Sequence, residues 1–112
     1  MAAIDPKALI SDIQAAATNV VGGDVSALSG FSQQQLAGIA QQSVFVAGGI
    51  ADGSITDDTR DFFLNSLVEM AKSFANTLVG LATVVIEQVW NAIVGVIWTA
   101  IGKATGVALA IP

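Results

Sequence analysis

From Thr56 to Gly102 no proline interrupts the chain, and over that run the polar and small residues recur in a single row. Asp61, Asn65, Glu69, Lys72, Asn76, Gly80, Thr83, Glu87, Asn91, Gly95, Thr99 and Gly102 follow one another at steps of three or four. Eleven steps cover the 41 positions from 61 to 102, about 3.7 residues per turn and close to the period of a straight α-helix. Thr56 suits an N-cap, and Asp57, Asp58 and Asp61 place negative charge where the helix dipole favours it. The pattern predicts one helix over 57–102, ~46 residues or roughly 69 Å long at 1.5 Å per residue. Such a length is expected of a coiled coil or a membrane span and is rare in a small globular domain.

The row changes character along its length. Its first half is charged, and its second half is mostly small and uncharged. Around that second half every other residue is Val, Ile, Leu, Ala or Trp, apart from Gln88. A helix that is apolar nearly all round requires burial on all sides. Composition points the same way. Hydrophobic residues make up 54% of the 112, and the 11 glycines bring the share to about 64%, against ~45–50% for a soluble domain counted alike. A chain this short exposes much of its surface when folded, and with 12% charged residues part of that surface is expected to meet lipid or another chain.

Two shorter helices are expected upstream. Asp5 can cap the first, with Pro6 tolerated at its first position, and Leu9, Ile10, Ile13, Ala16, Ala17, Val20 and Val21 recur at helical spacing until Gly22-Gly23 stops it. Val25 to Gly30 reads as a connector. Ser32 can cap the second helix, whose stripe is Leu36, Ile39, Ala40, Val44, Ala47 and Ile50–Ala51, with glutamines at 33–35 and 41–42 as its wet face. Asp52-Gly53-Ser54 closes it in a turn. The expected fold is all-α, a helical hairpin or three-helix chain with helices at 6–21, 32–51 and 57–102, the last long and mostly apolar. Residues 1–55 form an amphipathic headpiece of two helices, and 56–112 form the long helix and a short tail.

Several function classes fall away. Nine acids against four bases give a net charge of −5, and Lys7, Arg60, Lys72 and Lys103 are scattered, so there is no basic stripe for nucleic acid and no polybasic patch for anionic lipid. There is no cysteine and no histidine, which removes thiol chemistry, the commonest general base and the commonest zinc ligand. The segment Asp52–Asp61 misses the calcium-loop pattern, with Asp57 where glycine is needed and Phe63 where glutamate is needed. No enzyme activity, cofactor, metal or small-molecule substrate is expected. The first seven residues lack a basic region leading into an apolar core, so no cleavable signal peptide is expected.

What remains is a packing protein. Leu78–Ile101 is long enough for a ~30 Å hydrocarbon core. Its twelve Leu, Ile and Val residues favour insertion by about 5 kcal/mol together, against ~3 kcal/mol for Glu87 near its middle and further cost from Gln88 and Asn91. A lone span comes out near balance, and a bundle with the row turned inward would hide its polar groups from lipid. The leading expectation is therefore a self-associating membrane or structural subunit (pore-like, holin-like or a membrane-lattice component) located in the membrane. Gly80, Thr83, Glu87, Asn91, Gly95, Thr99 and Gly102 would be its helix-contact or lumen stripe. Lys72, Phe74 and Trp98 would be interface anchors, with the two tryptophans equally suited to a core or subunit contact. Glu87 is either a pore-lining carboxylate or, more simply, an interface or surface carboxylate. The alternative is a water-soluble helical homo-oligomer or filament subunit with a shared apolar core, cytoplasmic or particle-associated. The third is a secreted membrane-active toxin.

Overall fold

The computed structural model describes residues 4–107; the first three residues and the end of the C-terminal tail, 108–112, lie outside the described residues. The described chain is helical, with α1 at Pro6–Val21, a short 3-10 turn at Val25–Ala27, α2 at Gln33–Asp52, α3 at Asp57–Thr77 and α4 at Thr83–Thr105. The all-α class and the long apolar C-terminal helix are as the sequence predicts. The single rod over 57–102 is not, since it divides into α3 and α4 at Leu78–Ala82.

The helix starts follow from local chemistry. Asp5 Oδ1 accepts from the Lys7 amide at 3.0 Å, with Pro6 at the first helical position. Ser32 Oγ accepts from the Gln35 amide at 3.2 Å. The Thr56 amide donates to Thr59 Oγ1 at 3.1 Å, ahead of Asp57 and Asp58 in the first turn. Gly22 and Gly53 end α1 and α2 in the left-handed conformation, at φ 83° and 84°, which costs glycine nothing.

The end of α3 is set by a distant segment. The Val79 amide donates to the Ser29 carbonyl at 2.8 Å instead of continuing the helical ladder. The single Thr77 hydroxyl proton is shared between the Phe74 carbonyl at 2.6 Å and the Gly30 carbonyl at 2.9 Å. Gly30 itself has φ 88°, and a Cβ there would collide with the Thr77 carbonyl. The connector before α2 thus grips the last turn of α3, and Gly80, at φ 97°, lets the chain reverse. No proline is involved, which is why the break escapes a reading based on helix breakers.

Side-chain pairs fix the helix directions. Gln42 meets Ser66 and Phe45 meets Phe63 across α2 and α3, and Lys72 meets Trp90 across α3 and α4. Helices α2 and α3 are therefore antiparallel, and the Lys72–Trp90 contact shows α4 folding back along α3 after the reversal. Helix α4 packs against all three other helices, α2 against both α1 and α3, while α1 and α3 do not meet. The resulting bundle measures 42 × 24 × 20 Å, with a radius of gyration of 13.7 Å, close to the ~13 Å of a folded chain of this length.

One core runs through it. Ile13, Leu36, Ile39, Val46, Leu67, Phe74, Val89, Ile93, Ile97 and Ile101 are fully buried, each contributing roughly 1.5–3 kcal/mol by transfer from water. Phe74 stands edge-on to Phe31, with centroids 5.9 Å apart. Gly49 leaves the space that Ile55 fills. The expected core stripe of α2 holds at Leu36, Ile39, Ala40 and Ala47, but Val44 and Ala51 are exposed, and Ser43 and Val46 are buried in their place. Ser43 is tolerated there because its hydroxyl donates to the Ile39 carbonyl at 2.8 Å, which satisfies its buried polar group.

Candidate association surface

Helix α4 has two faces about half a turn apart. Val89, Ile93, Ile97 and Ile101 lie in the core. Two residues out of phase, or about 200° around the helix, Glu87, Asn91 and Thr99 are exposed and Gly95 is half-buried. Thr83 is exposed at the first turn and Gly102 half-buried near the last, whereas Gly80 lies outside the helix, in the reversal before it. Within one chain, then, Glu87, Asn91, Gly95 and Thr99 share the outward side of α4, Thr83 and Gly102 lie at its two ends, and Gly80 stays in the turn.

Two expectations about individual residues change. Glu87 is not mid-span: with α4 beginning at Thr83 it sits in the second turn, exposed. Of the three suggested anchors, Phe74 is 1% and Trp98 5% exposed, so both are core residues of the bundle. Lys72 is half-exposed. Its Nζ lies 4.7 Å from the centre of the Trp90 ring and 4.0 Å from Glu69 Oε1, tying α3 to α4 through a cation–π contact of about 0.5–1 kcal/mol.

The outward side of α4 is incompletely covered. In its most apolar 18-residue stretch 33% of the residues are buried within the chain. Val84 is exposed, and Ile86, Trp90, Val96 and Ala100 are half-buried beside the polar row. Toward α1 the surface dips into a groove of about 620 Å³, floored by Leu9, Ala92, Val96 and Ala104 and edged by Asp5, Asp12, Thr99 and Lys103. The Thr99 hydroxyl is turned onto its own helix, donating to the Gly95 carbonyl at 2.9 Å. The groove's α1 wall was not foreseen: Asp5, Ala8, Leu9 and Asp12 recur at helical spacing, but that signal has meaning only once α1 is known to lie on α4.

A second exposed surface was also missed. Phe45 and Phe62 are 60% and 73% exposed and meet through Phe63, which lies 6.2 Å from the first and 5.4 Å from the second. Phe45 falls outside the apolar stripe read for α2, which was the available clue. Among the described residues no group of three or more Asp or Glu side chains is arranged to hold a metal ion. Compared with protein-family models, curated proteins and solved structures, the chain matches none.

Proposed function

We propose that this chain is a non-enzymatic, self-associating helical subunit whose copies meet through the outward side of α4. The observation that carries the reading is that α4, the most apolar helix, is covered little more than its polar neighbours, with 33% of its most apolar stretch buried. Half-covered Trp90, Val96 and Ala100 flank a row in which Gly95 and Thr99 permit close helix approach. A water-soluble assembly is favoured over one built on a 57–102 rod, because the bundle has its own core and turns Glu87 and Asn91 outward.

Light scattering coupled to size exclusion tests this, with Gly95→Arg as the discriminating variant. A Cβ at Gly95 meets nothing within 4 Å, and arginine is the better helix former, so the monomer tolerates the change while a packed interface does not. The expected result is a defined oligomer for the natural chain and a helical monomer for Gly95→Arg. A natural chain that stays monomeric at all concentrations contradicts the proposal.

A membrane-embedded form is the second reading, supported by one feature. Helix α4 has 23 residues, and its most apolar stretch has a mean hydropathy of 1.6; at about 34 Å it is long enough for a bilayer core. Insertion would require α4 to leave α1, α2 and α3, so it predicts co-flotation with liposomes accompanied by new exposure of Ile93 and Ile97 contacts. Protein that remains in the aqueous fraction removes this reading and leaves the soluble assembly.

A further inference from the structure

Three phenylalanines form one surface on the α2–α3 hairpin. Phe63 is rooted against the core, Phe62 stands edge-on to it with an interplanar angle of 90°, and Phe45 closes the set from α2. Single exposed apolar residues are ordinary, whereas contiguous exposed rings mark contact surfaces. Beyond the Arg60–Asp57 pair, the charge around them is negative. Asp58 lies one turn before Phe62 on the same helix face and Asp61 beside it, both exposed. Neither forms an ion pair within 4 Å among the described residues. The nearby Arg60 is engaged by Asp57 at 3.2 Å, and Lys72 is engaged by Glu69.

Aromatic ring faces and carboxylates attract the same kind of group, a cation. A second copy of this chain would bring Asp58 and Asp61 toward their own counterparts, because a two-fold contact uses the same patch twice, and facing like charges are costly. An anionic bilayer is repelled for the same reason. We infer that this surface docks a basic amphipathic helix of a partner protein, its apolar residues on Phe45, Phe62 and Phe63 and its lysines or arginines on Asp58 and Asp61. This surface is separate from the outward side of α4 and does not depend on self-association there.

The probe is a fluorescein-labelled helical peptide of about five turns, with leucine on one face and lysine on the other, and a twin carrying glutamate for lysine. Anisotropy titration against the folded chain is expected to show binding of the lysine peptide and at least about tenfold weaker binding of the glutamate peptide. Replacing both exposed rings (Phe45→Ser with Phe62→Ser) should retain the helical circular dichroism and weaken the lysine peptide at least about tenfold. Asp58→Asn with Asp61→Asn should weaken it roughly three- to tenfold and flatten its salt dependence. No binding of the lysine peptide, equal binding of the two peptides, or an affinity within about twofold for both double variants overturns the proposal. A natural dimer that dissociates in the double serine variant also overturns it, by making a second copy the occupant.

Discussion

The Val79 amide donates to the Ser29 carbonyl at 2.8 Å, so the residue that would carry α3 onward is held instead by the connector between α1 and α2. With Thr77 Oγ1 on the Gly30 carbonyl at 2.9 Å, this contact turns a run with helical periodicity into two antiparallel helices. It also lets α4 enter the centre of the bundle, where Val89, Ile93, Ile97 and Ile101 are covered.

Gly30 should be the most sensitive glycine of the chain. Its φ of 88° strains any L side chain, and a Cβ would strike the Thr77 carbonyl. Gly30→Ala is expected to destabilise the fold by at least about 2 kcal/mol, read by urea denaturation monitored by circular dichroism. Gly23→Ala, where a Cβ meets nothing within 4 Å, serves as the control. Equal stability of the two variants would show that the connector does not grip α3.

The phenylalanines divide sharply by environment. Phe74, 1% exposed and edge-on to Phe31, should lose about 3–5 kcal/mol on replacement by alanine. Phe62, 73% exposed, should lose within about 0.5 kcal/mol. The same denaturation experiment separates them, and comparable losses would mean that the bundle packs differently.

Acid should loosen the two turns that begin with a carboxylate. Asp24 accepts from the Ser26 hydroxyl at 2.7 Å and the Ser26 amide at 3.0 Å, and these bonds hold its carboxyl below the ordinary 3.8. Asp52 is lowered likewise by the Ser54 hydroxyl and amide. A folded value below the unfolded one stabilises fully above 3.8, and the contribution is lost as pH falls through the folded value. Urea stability should therefore decline from about pH 5 toward pH 2, and a Ser26→Ala, Ser54→Ala double variant should decline less. Identical acid profiles would remove the role assigned to the serines.

Much of this architecture was legible in the residues. Asp5-Pro6, Ser32 and Thr56 marked the helix starts, Gly22 and Gly53 two of the stops, and the row through Glu87, Asn91 and Thr99 one side of α4; that Val89, Ile93 and Ile97 lie on its covered face, with the flanks left half-exposed, was not legible in a helix apolar nearly all round. The stop at Leu78 was not legible, because Leu78-Val79-Gly80-Leu81-Ala82 carries no proline and keeps the helical period; the competing hydrogen bonds come from residues almost fifty positions away. The same break changes the reading of the candidate site. In a rod the apolar sides of residues 78–101 have no cover within the chain, whereas beyond a reversal α1, α2 and α3 supply part of it, leaving the outward side with Trp90 and Val96 half-buried. The Phe45–Phe62–Phe63 surface depends on the register between α2 and α3, which no local pattern encodes.

The reversal at Leu78–Ala82 is the claim on which the rest depends, and one distance tests it. The chain has no cysteine, so Asp61→Cys and Thr99→Cys, both at exposed positions, can carry a pair of spin labels without other changes. The Lys72–Trp90 contact sets a register that brings 61 within a turn of 99. Pulsed electron–electron resonance on the protein in water should give a distance comparable with the 24 Å and 20 Å minor extents of the bundle. A distance near 57 Å, about 38 residues of uninterrupted helix at 1.5 Å each, would contradict it.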